Sequence, residues 1–471
     1  MVESPADPLL AALRPYLNPA LRHAGWFGFF LLLAPAMGPR GYGMFILALS
    51  GIAIAEALLA ETAIAALVGL AGLEERHVST ALVTVLAAGA GLTLVLRAVA
   101  GALGGIVDAA AFDDIFPSLT LLPVLGALAV VPTALLRRAG RRAPFAAATA
   151  AGTAAGGAVA VALAWAGAGP WALVAQIIVQ RLCECAVLWA MAGERVGVAW
   201  SRRHFAELFG AAHRRVFDAV LPAASRYGPC LAVGLSLGPI AAGLYMLASR
   251  LAEAVLEIFL ARPASLARDT PPEIARLACR ALLPAALASA LLPIVVPPLL
   301  DPRWWGAVPP AQILLLAALP AAIGFMRTAC GENPAAKARW QRARWQRARV
   351  VGGIAAAALA APYGLAGVAA AMLAPAALVA AAGLRPIGRR MRGHGQAALV
   401  AAARPCAGAA AAAFVLAIAA DPLGRLLDPL TAFCLLTASG WLCCLLVRDA
   451  LSGAAPAPLA LSRQTRDPSP A

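Results

Sequence analysis

Apolar residues in this chain gather into long continuous runs, with polar residues confined to short intervals between them. The runs cover 20–37, 41–69, 79–103, 115–136, 144–168, 170–191, 216–236, 240–261, 279–300, 307–326, 350–361, 364–384, 397–420 and 426–447. Most have the roughly 17–25 residues that a helix needs to cross a hydrocarbon layer. The first and the eleventh are short and must borrow residues from amphipathic flanks. The pattern predicts an all-α polytopic membrane protein with about fourteen transmembrane helices, twelve or thirteen being the neighbouring counts.

The polar intervals carry a second signal. Lys and Arg favour the cytoplasmic ends of spans, so a correct list should give basic loops on alternate turns. "RRAGRR" (137–142), "SRRHFAELFGAAHRR" (201–215), "RPASLARDTPPEIAR" (262–276) and "RPIGRRMRGHG" (385–395) fall on one side with the opening stretch. "GGIVDAAAFDD" (104–114), "GAGP" (167–170), "LGP" (237–239), "DPRWWG" (301–306) and "PYG" (362–364) fall on the other, where the only arginines are Arg40, Arg303 and Arg425. One misplaced span would scramble this alternation. The expectation is a multi-pass protein of the cell inner membrane with both termini cytoplasmic.

Composition agrees: the chain is 62% hydrophobic and 13% charged, with a mean hydropathy of +0.81, which excludes an ordinary soluble domain. The first twenty residues contain Pro5, Pro8, Pro15 and Pro19 and lack the short apolar core of a cleavable signal. The formal charge of +15 and the stretch "KARWQRARWQRARV" (337–350) raise the question of nucleic acid. Trp340 and Trp345 are five apart, about 140° around a helix, and share no stacking face. In a cytoplasmic loop such residues hold orientation and touch anionic lipid headgroups, so no nucleic-acid partner is expected. The nine cysteines, including Cys183/Cys185 and Cys443/Cys444, lack the His or Cys company of a metal site. No metal or cofactor is expected.

The chain also repeats itself. "GPRGYGMFILAL" (38–49) superimposes without a gap on "GPIAAGLYMLAS" (238–249), pairing Gly38 with Gly238, Pro39 with Pro239 and Gly43 with Gly243. A weaker echo links "GPWALVA" (169–175) to "YGLAGVA" (363–369). Spans one to six and seven to twelve thus read as two copies of one six-span unit. An even number of spans places both copies the same way up, related by an axis along the membrane normal. Together with "GLYMLASRLAEAV", "RWWGAVPPAQILLLA" and "PYGLAGVAAA", these motifs resemble the polysaccharide-biosynthesis membrane proteins, the Wzx-like oligosaccharide flippases of the multidrug/oligosaccharidyl-lipid/polysaccharide exporter superfamily. The resemblance runs over about residues 20–450. It implies two six-helix bundles around a central cavity that opens alternately to each side, and as cargo an undecaprenyl-diphosphate-linked oligosaccharide, with polysaccharide polymerase machinery as a candidate partner.

Ionisable residues inside spans are costly, at least about 2.5–3.5 kcal/mol on insertion scales, and usually line a cavity or pair with one another. Arg226 is central in span seven and Arg250 in span eight, with Glu253 and Glu257 on the same helical face as Arg250. Span two carries Glu56 and Glu61, and the repeat brings Glu56 within one residue of Glu257. Span six carries Gln176, Gln180 and Glu184 at four-residue intervals, with Arg181 beside them; Arg97 sits near the outer end of span three. In the functional reading, Arg226 and Arg250 hold an anionic diphosphate, because a guanidinium donates in pairs to phosphate oxygens and stays charged. Glu56 and Glu257 are then counter-ions or proton carriers, and Glu253, Gln176, Gln180 and Arg181 further binding groups. In the competing reading, Arg250 locks onto Glu253 or Glu257, and Arg181 onto Glu184.

The organisation read from sequence is a cytoplasmic segment 1–19, a bundle 20–191, a basic linker 192–215, a second bundle 216–384, a basic loop 385–396, a helix pair 397–447 and a tail 448–471. An enzyme is not expected: no phosphate-cradling Gly-rich loop or Ser/His/Asp set is visible, and the longest outside loop is about eleven residues. Cation-coupled drug antiport by the same superfamily would call for carboxylates without central arginines. A peptidoglycan lipid-precursor flippase differs only in cargo sugar.

Overall fold

The computed structural model describes residues 8–107, 110–193, 196–210, 216–260, 271–318, 320 and 336–390. The expected helix pair at 397–447, the tail and most of the 385–396 loop lie outside the described residues. Every described helix is α-helical or a short 3-10 turn, and no strand occurs among the described residues.

The first half comprises α1 (Pro8–Gly69), α2 (Glu75–Val107), α3 (Ala110–Leu119), α4 (Leu122–Arg138), α5 (Ala143–Trp165) and α6 (Trp171–Ala192). Helix α1 holds two spans, because Gly38 breaks it with φ 62° and ψ 174°. That left-handed φ suits glycine alone, and Pro39 then starts the next segment, where a missing N–H costs nothing. Span four is split into α3 and α4. Pro123 cannot continue the hydrogen-bond ladder, and the carbonyl of Thr120 at the break instead accepts from Thr93 Oγ1 of α2 at 2.7 Å. A side chain from a neighbouring helix thus satisfies backbone that lipid could not.

After the amphipathic helix α7 (Arg202–Phe209), the second half comprises α8 (Val216–Leu237), α9 (Pro239–Leu260), α10 (Pro271–Leu299), α11 (Val308–Leu315), α12 (Ala336–Ala360) and α13 (Gly364–Arg390). Gly238, with φ 88°, repeats the role of Gly38. The packing repeats as well. In the first half α1 and α2 pack on α4, α4 on α6 and α6 on α5; in the second, α9 and α10 pack on α11, α11 on α13 and α13 on α12. Two pseudo-symmetric bundles are therefore present, as the sequence repeat predicts. Seven stretches among the described residues are long and apolar enough to cross a membrane, three of them interrupted, at Gly38, at residues 120–121 and at the 361–363 turn.

The halves meet through α1 against α8 and α9, and the repeated glycines form the junction. A Cβ at Gly43 would overlap the Pro239 carbonyl oxygen, and one at Gly243 would overlap the Pro39 carbonyl oxygen. This reciprocal contact is what a pseudo-twofold axis between Gly43 and Gly243 requires, with backbone resting on backbone. The lipid phase gives no hydrophobic drive between helices, so close approach at small residues supplies the attraction. Gly152 and Gly156 do the same for α5 on α6, lying against Gln180 and Gln176.

One sequence expectation changes, and one basic interval acquires structure. The Trp-Gln-Arg-Ala-Arg pair forms the first part of α12 and is not a loop, since residues 336–351 contain good helix formers and neither Gly nor Pro. The basic 201–215 interval contains α7, which buries His204 and Leu208, four residues apart on one face.

Candidate functional site

The basic end of the molecule is tied together by arginines acting on backbone. Arg138 donates to the carbonyl oxygens of Leu67, Leu70 and Ala71 at 3.2, 2.5 and 3.2 Å, capping the C-terminus of α1. Arg141 donates to the Met191 carbonyl at 2.9 Å, near the end of α6. Cations suit helix C-termini because the last carbonyls are unpaired and partially negative. Arg137 pairs with Glu61 at 3.1 Å. Glu61, an ionisable residue within span two, thereby belongs to this rim.

At the opposite end Phe30, Tyr42 and Trp304 pack edge to face, with centroids 5.0–5.8 Å apart. Arg303 lies over Gly38 and donates through Nε to Asp301 at 3.0 Å. Its side-chain hydrogen bonds, helped by its backbone N–H and its charge, hold the Asp301 carboxyl below the usual carboxylate range.

Between these ends lie two polar clusters within spans. In the second half, Arg250 Nη1 of α9 meets Glu253 Oε2 at 3.2 Å, and Glu257 Oε2, one turn on, meets His23 Nε2 of α1 at 2.9 Å. Glu253 also interacts electrostatically with Arg226 of α8, with His23 and with Glu257. Arg226 is exposed, its guanidinium 6.0 Å from the Tyr227 ring centroid. Three elements, α1, α8 and α9, thus bring together Arg226, Arg250, Glu253, Glu257 and His23. Arg226 has no acidic neighbour within one turn of its own helix; tertiary packing brings it one, Glu253. His23 went unnoticed in the sequence, where a lone histidine at the start of span one announces nothing.

In the first half, buried Glu56 of α1 lies 3.8 Å from Arg181 of α6, whose other nitrogen is 3.9 Å from Glu184. The Arg181–Glu184 pair expected from the i,i+3 spacing is therefore a triad with Glu56 at its buried end. Gln180 Nε2 donates to Glu184 at 2.9 Å. Gly126 leaves room for the Glu56 carboxylate: a Cβ there would overlap it. Gln176 is half-buried, with its backbone against Gly156, and joins neither cluster through a hydrogen bond among the described residues. The eight residues singled out from sequence thus divide into a first-half group (Glu56, Arg181, Gln180), a second-half group (Arg226, Arg250, Glu253, Glu257) and Gln176 apart.

Residues 32–265 match the family model described as polysaccharide biosynthesis protein. Among solved structures, the chain is similar to the lipid II flippase MurJ in its inward closed conformation, with TM-score 0.67 and 10% identity over 92% of this chain and 98% of that one. It is also similar to the inward-facing form of a multidrug resistance MATE family transporter of the MOP superfamily, with TM-score 0.57 and 14% identity over 80% and 97%. At such identities these likenesses show the fold. No curated protein matches the sequence.

Proposed function

We propose that this chain, a polysaccharide-biosynthesis membrane protein with the fold of the MOP-superfamily transporters, is an alternating-access flippase for a lipid-diphosphate-linked oligosaccharide. It sits in the inner membrane with its basic end toward the cytoplasm, and its cargo, built on undecaprenyl diphosphate, serves surface polysaccharide assembly. The observation that supports this reading best is the second-half cluster, two guanidinium groups within spans on adjacent helices, Arg250 paired with Glu253 and Arg226 interacting with the same carboxylate electrostatically.

Carboxylates so placed keep the arginines balanced when cargo is absent. A diphosphate offers more acceptor oxygens and more charge than Glu253, and guanidinium binds phosphate through paired charge-assisted hydrogen bonds. Cargo therefore displaces the Glu253 carboxylate from Arg226 and Arg250, and the freed carboxylate turns to His23, which already holds Glu257. The first-half triad of Glu56, Arg181 and Glu184, extended by Gln180, contacts the sugar or the far side of the diphosphate, and Gln176 contacts the cargo separately. An inside-negative potential contributes about 2.3 kcal/mol per charge per 100 mV to outward movement of the anion, if it crosses the full field. A cationic drug would find two arginines where it needs carboxylates.

Arg226→Ala and Arg250→Ala should each abolish surface polysaccharide export at unchanged protein abundance, with lipid-linked oligosaccharide accumulating on the inner leaflet. Normal export by both variants at normal abundance makes these arginines structural and ends the proposal. The MurJ-like fold favours one second reading, a peptidoglycan lipid-precursor flippase; accumulation of that precursor in a depleted strain, in place of a polysaccharide repeat unit, would select it.

A further inference from the structure

A group of side chains unrelated to the transport clusters joins the turn after α1 to the linker helix α7. Glu74 precedes α2, His77 lies in the first turn of α2, and His204 lies in α7. Both histidines are buried and pack edge to face, with ring centroids 4.5 Å apart and an interplanar angle of 85°. We propose that Glu74, His77 and His204 bind a divalent transition-metal ion of the zinc class.

The ring nitrogens are already divided as such a site requires. His77 Nε2 is hydrogen-bonded to Glu207 Oε2 at 2.8 Å, and His204 Nδ1 to Ser201 Oγ at 2.8 Å. The other nitrogen of each ring, Nδ1 of His77 and Nε2 of His204, is left on the side of Glu74. One ligand atom from each of the three residues lies within 4.8 Å of the others. His204 Nε2 and Glu74 Oε2 are 3.5 Å apart. Tetrahedral zinc with bonds of about 2.0–2.2 Å sets its ligands roughly 3.3 Å apart, so that edge is close to its final length. Metal-binding histidines commonly anchor their second nitrogen on a carboxylate, which fixes tautomer and orientation. Glu207 supplies that anchor for His77 and is itself held by Arg203 at 2.9 Å.

In the absence of an ion, His77 Nδ1 accepts the Glu74 backbone N–H at 3.2 Å, a helix-capping bond that an ion would replace. Three protein ligands leave a coordination position open, which marks an exchangeable ion rather than a closed structural one. Imidazole and carboxylate donors favour zinc, nickel or copper over magnesium and calcium. Since α7 lies in the segment between the two bundles, the bound ion would pin that segment to the first bundle.

The test uses the full chain in detergent, stripped with a chelator and titrated with zinc against a chromophoric competitor. One ion per chain should bind. Glu74→Gln, an exposed change that leaves the fold intact, should weaken binding at least tenfold. His204→Ala should abolish it, with size-exclusion elution reporting whether the variant stays folded. Glu207→Gln should weaken it by about 10–100-fold through loss of the His77 anchor. Wild-type affinity in Glu74→Gln, or no stoichiometric ion in the unmodified chain, overturns the proposal.

Discussion

Gly43→Ala should damage the junction between the halves more than any comparable methyl addition in an open part of a helix. The new Cβ would lie 2.7 Å from the Pro239 carbonyl carbon and 3.0 Å from the Gly243 nitrogen, overlapping the Pro239 oxygen as well. Carbon atoms rest at about 3.5–4.0 Å, so α1 and α9 must part by about 1 Å. Neither contact is the tip of a flexible side chain, so the cost belongs at the upper end of the 1–3 kcal/mol typical of overpacking. At about 2 °C per kcal/mol for a chain this large, a loss near 3 kcal/mol lowers the Tm by roughly 6 °C, read as the loss of the monodisperse peak in detergent on heating. Gly243→Ala meets Gly43 N at 3.1 Å and Gly43 Cα at 3.2 Å and overlaps the Pro39 oxygen, and should cost less. One separation of the helices relieves both clashes, so the double variant should fall short of the summed losses by about 1 kcal/mol or more. Gly51→Ala, with nothing within 4 Å, should be neutral or gain up to about 1 kcal/mol of helix propensity. A Gly43→Ala protein that melts with the Gly51→Ala control, or strict additivity in the double variant, refutes backbone contact at the axis.

Arg138→Ala should remove about 1–2 kcal/mol of charge-assisted bonding and fray the end of α1, raising amide exchange over residues 67–73; unchanged exchange there would show that the cap is idle. Trp304 is fully buried, and its Nε1 has no hydrogen-bond partner among the described residues. Trp304→Phe removes that orphaned donor, worth about 1–3 kcal/mol of desolvation, against a small cavity, so its Tm should stay within about 2 °C of wild type while Trp304→Ala loses about 3–5 kcal/mol; equal damage from both would contradict this. Asp301 is ionised below the ordinary carboxylate range, so its pairing with Arg303 is intact above that range and lost only as pH falls through the lowered value. Carboxyl carbon NMR should place the Asp301 titration below about 3.9, and a midpoint at or above it would count against the pair.

Much of this architecture could be read from the sequence because the bilayer leaves so few choices. Backbone in lipid must satisfy itself, so hydropathy alone located the split span Ile115–Arg138, α5, α6, α8 and α9 to within a few residues. By contrast, α10 and α12 begin 8 and 14 residues before their apolar runs. The Gly-Pro repeats at 38 and 238 identified the turns and the two-copy organisation. What stayed hidden depends on distance along the chain. Spacing finds Arg250 with Glu253 because helical geometry fixes it. It cannot find His23 with Glu257, 234 residues apart, or Glu56 with Arg181, since those depend on which helices pack together. The basic start of α12 differs for another reason: its charge marks a cytoplasmic interval, while the helix propensity of Ala, Gln and Arg makes that interval helical.

The meeting of Gly43 and Gly243 also has a mechanical meaning. It lies five residues into α9 from Gly238, near one end of that helix, while the remaining residues run about 25 Å toward the other end at 1.5 Å per residue. If one half swings about this point as a fulcrum, a tilt of about 10° moves the near end by little and the far end by roughly 4 Å. The lever is unequal by construction, so on such a swing the basic end of α9 would travel several times further than its aromatic end.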